Sequence, residues 1–510
     1  MPKNAFYIYK TGVVQTVEKR ICQFKTRFTF ENISSFTHNS AMKGGIFMYT
    51  HLEKHIIQKN REIYLTHYDA SHDLVKIERY FDWEIVENLM KPYYHSTIGR
   101  PAYPPITLVK ILIIQHLEGF RSVRFTCKQI SQHFTYRWFL GVSIYDKIPD
   151  HSTISKFLSC RLGGVDVWQE LFDQIISLIH LQGYLAHETW VADETEFKAN
   201  ANKNKRNRYM KEVLIEEDLE MLEKVNQERI KHGKKLLPES GPKIVMKKVI
   251  ESPVDEDARL CVKHEKRGRF AYYEHRIVDS LHNFILCSTV TPANVPGHRI
   301  LPIQLDKLKE LFGVCCKEIA LDAGYYNIRM ARELEKRTIF AYIAYRYRRG
   351  KQDKNCRNYH FKKVTDDLYA APCGLAFRYS TTTRQGYSEF KPEKGSCNGC
   401  LSQPKTKDGL RVLRISVNEA EHEELRKKRL SPRGKILKLV RPSTIERSFA
   451  QSKELHGLRF ARYRGVSKVS FQVLMTDMVQ NLKKYANIRS LECVGLYLTY
   501  QIQPEKYSHN

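Results

Sequence analysis

The chain has 510 residues, 42% of them hydrophobic, and its 84 Lys and Arg against 56 Asp and Glu give a formal net charge of +28. That length exceeds one ordinary domain, the apolar share excludes wholesale disorder, and so large a basic excess points to a polyanionic partner held through counterion release. Twelve scattered cysteines, the lack of any run of eighteen apolar residues and an N-terminus without an apolar signal core predict a soluble intracellular protein with reduced thiols and no membrane span.

Residues 1–74 read as a poorly defined N-terminal extension. The first 47 are aromatic and basic without periodicity, and form either a mobile arm or a stretch upstream of a chain that begins at Met48. Residues 75–180 are expected to be helical. Pro101, Pro104 and Pro105 precede an apolar run that closes at Gly119, the usual asymmetry of a helix start and stop. A second helix is predicted over "SVRFTCKQISQHF", and short helices in a basic segment suggest a DNA-binding domain. The alternative is a plain bundle packed against the rest of the chain.

From Thr189 the pattern shifts to short β-type runs: "TWVADETEF", "FAYYEHRIVDS", "NFILCSTVTPA" and "KEIALDAGYY". Between the first two, "KRNRYMKEVLIEEDLEMLEKVNQERIKHGKKLLPESG" is charged, with Leu and Met at three-to-four spacing, and reads as a solvated helix or helical hairpin. Helices follow at "LPIQLDKLKELFG" and "IRMARELEKR". Residues 185–487 therefore predict an α/β or α+β domain on a mixed sheet. Residues 345–435 break the pattern and read as an inserted subdomain. Phe471, Leu474, Met475, Met478, Leu482 and Tyr485 line one stripe of a final core helix. Residues 488–510 are left as a tail.

Three acids stand out. Phosphodiester chemistry commonly uses two divalent ions about 4 Å apart. Mg²⁺ keeps several waters, so two or three carboxylates on rigid elements suffice to hold it. In the strand "TWVADETEF" the apolar Trp190 and Val191 run straight into Asp193, where an unpaired carboxylate is costly; by strand alternation Glu194 and Glu196 face away from it. Asp322 repeats the grammar in "IALDAGYY", with Gly324 as a sharp exit. Both also fit an ordinary strand-end turn. Glu446 fits a capping box with Ser443 as N-cap. Yet Glu446, Ala450, Lys453 and Gly457 share one helical stripe, and residues 441–468 hold seven Lys or Arg against two Glu.

In this order the motifs resemble the bacterial insertion-sequence transposases of the DDE class, over residues 75–487. "GRPAYPP…RWFLGV…IPDHSTISKF" is similar to the family's N-terminal helical domain, "ADETEFKANANKNK" to the segment of its first aspartate, "ALDAGYYN" to that of the second, and "STIERSFAQSKELHGLRFARYRG" to the block of its glutamate. The resemblance implies a ribonuclease-H-like catalytic domain with an insertion before the glutamate, which suits the 124 residues from Asp322 to Glu446. It implies Asp193, Asp322 and Glu446 as catalytic residues and ligands of two Mg²⁺ or Mn²⁺. Arg441, Arg447, Lys453, Lys198 and Asn200 become DNA contacts. The implied activity is binding of element ends, 3′-strand cleavage and strand transfer by a homodimer, in the bacterial cytoplasm at the nucleoid. The alternative is a catalytically inactive, sequence-specific DNA-binding derivative. The chain departs from the family in having no Tyr in "GKILKLVRP" and in reading Pro296-Gly297-His298 where many relatives have an Asp. Cys397 and Cys400, with Cys356 and Cys373 upstream, could hold zinc, against which stand irregular spacing and the lack of a histidine pair.

Overall fold

The computed structural model describes residues 54–64, 67–94, 102–161, 165–215, 217–262, 268–345, 361–371, 374–392 and 412–502. Two compact units divide the chain. One comprises residues 1–50 and 94–102, of which only Tyr94 and Ala102 are described; the other, residues 51–93 and 103–510, contains every element discussed here.

From Lys54 to Leu181 the described residues form helices: Lys54–Glu62 (α1), Asp73–Tyr80 (α2), Glu84–Met90 (α3), Pro105–Leu117 (α4), Val123–Gln132 (α5), Phe134–Leu140 (α6), His151–Lys156 (α7) and Val165–Leu181 (α8). α1 falls inside the stretch expected to lack definition. α4 starts on Pro105, which needs no N–H partner there. It is buried almost all round, as a helix apolar on every side must be. Gly119 follows in the left-handed region (φ 64°), and a Cβ there would sit 2.6 Å from the Leu455 carbonyl oxygen. Ser122 caps α5 by accepting from the Phe125 N–H.

These helices pack on the long helix Val466–Ile502, whose predicted stripe from Phe471 to Tyr485 is buried throughout. Lys483 pairs with Asp73 at 2.7 Å, and Lys76 reaches Asn487 at 2.8 Å. The helix runs beyond residue 487 into the expected tail, because no proline interrupts it before Pro504.

The architecture is mixed α/β. At the centre of the sheet lies Thr189–Lys198 (β1). Asn207–Ile215 (β2), Lys243–Glu251 (β3) and Arg259–Cys261 (β4) precede Arg269–Asp279 (β5), which runs antiparallel to β1; Ile285–Pro292 (β6) runs antiparallel to β5. On the other side Glu318–Leu321 (β7) is parallel to β1 and Phe340–Ile343 (β8) parallel to β7. The order β6-β5-β1-β7-β8 is extended by β4, β3 and β2 from the early residues of β5. Helix Gly297–Phe312 covers one face, where Gln304 donates to the His275 carbonyl at 2.9 Å. The long C-terminal helix covers the other, where Val469 and Val473 pack on Phe197 and Tyr272.

Residues 205–241 correct the sequence reading. Rather than one solvated helix, the chain forms β2, then the helix Leu219–Lys231 (α9), then enters β3. β2 and β3 pair over nine positions, but long polar and apolar side chains are exposed on both faces, so no period-two burial signal marks them. α9 leaves the main sheet for a second, antiparallel one, built of Lys362–Thr365 (β9), Leu368–Ala370 (β10), Ala376–Thr383 (β11), Tyr387–Pro392 (β12) and Leu413–Ser416 (β13). There Arg229 donates to Thr381 Oγ1 and the Thr382 carbonyl, and His232 stacks on Tyr379 at 3.7 Å. Cys356, Cys373, Cys397 and Cys400 lie outside the described residues.

Candidate active site

Parallel pairing brings the two aspartates together. Ala192 is the register partner of Leu321, so the next residues, Asp193 and Asp322, stand side by side where β7 ends. This is the carboxyl end of β7 and of its parallel pairing with β1, the kind of place where open sheets hold ligands. Asp322 makes no side-chain cap bond to the turn Ala323–Tyr325 that follows, so a turn-capping role does not account for it.

Arg441 closes the helix Pro432–Arg441 and bridges the pair. Its Nη2 lies 2.7 Å from Asp193 Oδ2 and its Nη1 lies 3.4 Å from Asp322 Oδ1. The Arg441 and Asp193 side chains are 12% and 16% exposed, that of Asp322 35%. Burial pushes Asp193 up to about 6; Arg441 and the Glu194 N–H, which donates to Oδ1 at 2.8 Å, oppose the rise, and the Asp322 charge adds to it.

Pro442 cannot donate to the helical ladder. The chain answers with a π-turn, Pro442–Glu446, before regular helix resumes at Arg447–Glu454. Thr444 Oγ1 donates to the Val440 carbonyl at 2.9 Å, and Ile445 is fully buried. The expected capping box does not form. Ser443 Oγ donates back to the Val440 carbonyl at 2.9 Å, and Glu446 sits in helical backbone without a side-chain cap bond. The structural reading of Glu446 as a helix starter therefore falls.

The Glu446 side chain is exposed, and among the described residues no three His, Cys, Asp or Glu side chains converge as a metal cluster. Two carboxylates meet; the third stands on the turn directly after their arginine. Seven residues further along its stripe, Lys453 reaches Thr195 Oγ1 at 2.5 Å, two places from Asp193 on the same face of β1. Burial holds the Lys453 ammonium below its usual range.

The other expected DNA contacts differ in what they offer. Arg447 is exposed. Lys198 lies over the Phe460 ring at 5.2 Å, where residues 198 and 460 form a parallel bridge. Asn200 donates to the Arg462 carbonyl at 3.2 Å. Arg441 is engaged by the aspartates.

Sequence reasoning missed the group that seats this helix. Arg276, the register partner of Asp193, is fully buried. It pairs with Glu274 and with Asp477 at 2.5 Å, donates to Ser448 Oγ at 2.7 Å and Ser452 Oγ at 2.9 Å, and stacks on Phe449. An arginine and an aspartate set among apolar residues, in "AYYEHRIVD" and "VLMTDMVQN", were the available signal.

Behind the aspartates, Glu194 faces the opposite way and accepts from the Gly297 N–H at 2.8 Å. A Cβ on Gly297 would lie 2.5 Å from the ring of Tyr325, which is fully buried. Gly297→Ala is expected to cost about 1–3 kcal/mol of stability. Chemical denaturation would check this, and a variant as stable as the parent would show that Tyr325 moves freely.

The donor set of the aspartate pair suits a hard divalent cation. Two carboxylates on adjacent strands already share one positive group, and oxygen ligands are what Mg²⁺ or Mn²⁺ takes. No helix among the described residues is long and apolar enough to cross a membrane.

Residues 63–160 match a family described as Transposase domain (DUF772), and residues 371–486 match one described as Transposase DDE domain. No curated protein matches the chain. Among solved structures, the chain aligns with a piggyBac transposase synaptic complex with hairpin DNA. The alignment has 9% identity and a TM-score of 0.33, and spans 88% of this chain and 84% of that one.

Proposed function

We propose that this chain, a transposase of the DDE class by the families its two segments match, binds the ends of its own element, cuts the 3′ strands and joins them to target DNA. The observation that carries the reading is the pairing of Asp193, within β1, with Asp322, just past the end of the parallel strand β7, with Arg441 between them and Glu446 on the turn beyond. The central domain is read as ribonuclease-H-like, the helices of residues 75–180 as the end-binding domain, and a homodimer as the form that brings two ends together at the nucleoid.

Asp193, Asp322 and Glu446 would hold Mg²⁺ or Mn²⁺, two ions in all, which when bound activate the attacking oxygen and steady the leaving one. The remaining work falls to the chain. Arg441 keeps Asp193 ionised against the pull of its buried setting and holds both aspartates in orientation. Arg447 and Lys453 present cations along the strand path, and Lys198 and Asn200 lie where the DNA would leave β1. In the first reaction water attacks a phosphodiester at the element end and frees a 3′-hydroxyl. In the second, that hydroxyl attacks a target phosphodiester, forming a new P–O bond as the target's own 3′-oxygen leaves.

The test is incubation of the protein with element-end DNA and a target plasmid, with Mg²⁺ and with chelator. Metal-dependent nicks and joined products are expected. Cleavage without joining would make the protein a plain nuclease. Binding without cleavage would favour the inactive DNA-binding derivative.

A further inference from the structure

We propose that the two-stranded ribbon β2–β3 is a DNA-backbone clamp, gripping duplex DNA that leads away from the aspartate site. The inference rests on the transposase reading for the identity of its partner.

Beyond the short pairing of Glu251 with Arg259, the ribbon pairs with no other strand among the described residues. Antiparallel register places Lys211 directly opposite Lys247. Two like charges facing each other across a ladder destabilise it, and both side chains are exposed. Lysines on an open edge protect against aggregation, which explains isolated ones but not a facing pair. An anion between them removes the cost.

Lys247 and Val213 of that face, together with Leu214 at the ribbon's end, border a cleft of ≈ 600 Å³ whose other walls are Glu217, Asp218, Arg299 and Arg329. Its two acids are already engaged: Glu217 pairs with Arg384, Asp218 with Arg329. Among the described residues Lys247 and Arg299 have no carboxylate partner. Arg299 sits in the first turn of the helix Gly297–Phe312, whose first N–H, that of Gly297, donates to Glu194, the residue after Asp193 on β1. Exposed cations thus run from the ribbon to the helix end that backs the aspartate pair from the other face of the sheet. Phosphates spaced along a duplex complement it. A second copy of the chain would bring more lysine against lysine.

The test compares two double variants of equal charge: Lys211→Ala/Lys247→Ala on the cleft face and Arg208→Ala/Lys248→Ala on the opposite face. The measurement is affinity for element-end duplex as salt is varied, with sedimentation run in parallel. The cleft-face variant is expected to lower the slope of log K against log salt by about 2, near 1 per lost phosphate contact, and the opposite-face variant to leave it unchanged. If the intact protein binds duplex steeply but both variants behave alike, the clamp is wrong and the transposase reading stands. If the intact protein fails to bind DNA at all, both fall. A change in sedimentation with an unaltered slope would reassign the ribbon to self-association and overturn the clamp.

Discussion

Asp193→Asn is expected to abolish strand cleavage while leaving binding of element-end DNA within a few-fold of the parent. The drop should exceed about 100-fold, because losing even a group one step removed from a metal typically costs 10–100-fold. The fold should not suffer. Burial raises the Asp193 carboxyl to about 6, above its value of about 4 in an unfolded chain. A carboxyl raised in this way binds protons on folding, so its contribution to stability is lost as pH climbs from about 4 to about 6. Asparagine carries no such charge, and at pH 7 the variant should melt no lower than the parent. The paired measurements are end cleavage with Mg²⁺ and thermal unfolding. Loss of binding together with cleavage, or a large fall in melting temperature, would mark Asp193 as structural.

Arg276→Met should be the most destabilising single change, costing about 3–5 kcal/mol, the usual range for leaving buried charge uncompensated. One guanidinium serves two buried carboxylates, Glu274 and Asp477, and also seats Ser448 and Ser452. Burial already pushes the Asp477 carboxyl up, with Arg276 pulling the other way and Glu274 adding to the rise. Without the arginine both acids lose their counter-charge, and the helix after Glu446 loses its attachment to β5. Adding Glu274→Gln and Asp477→Asn to the variant should restore much of the loss, since neutral groups need no counter-charge. Urea unfolding of the single and triple variants decides the matter. A single-variant cost below about 1 kcal/mol would mean that the network is not what seats the helix.

How much of this could be read in advance depended on where the partners of a residue lie. β1, β5, β6 and β7 announce themselves as apolar runs because both their faces are covered, and a charged residue at the end of such a run is conspicuous; Asp193 and Asp322 were visible for that reason. β2 and β3 were not, since residues such as Met210, Lys211, Ile244 and Lys247 face solvent on both sides and leave no alternation to detect. Ser443 and Glu446 have the spacing of a helix start, but the chain is already helical when it reaches them, and spacing alone does not report that. The longest-range relationships were the least accessible. Arg441 meets an acid 248 positions away, and Arg276 meets one 201 positions away. Only the folded register of the sheet brings them into one place.

The interruption at Pro442 sets a direction as well as a boundary. Positions five apart on an unbroken α-helix point about 140° away from each other, at about 100° per residue. Where the backbone closes on its fifth residue instead, those positions come round almost into line. Residues 441 and 446 stand in that relation, so the extra residue in one coil turns position 446 toward the side of the helix that carries position 441.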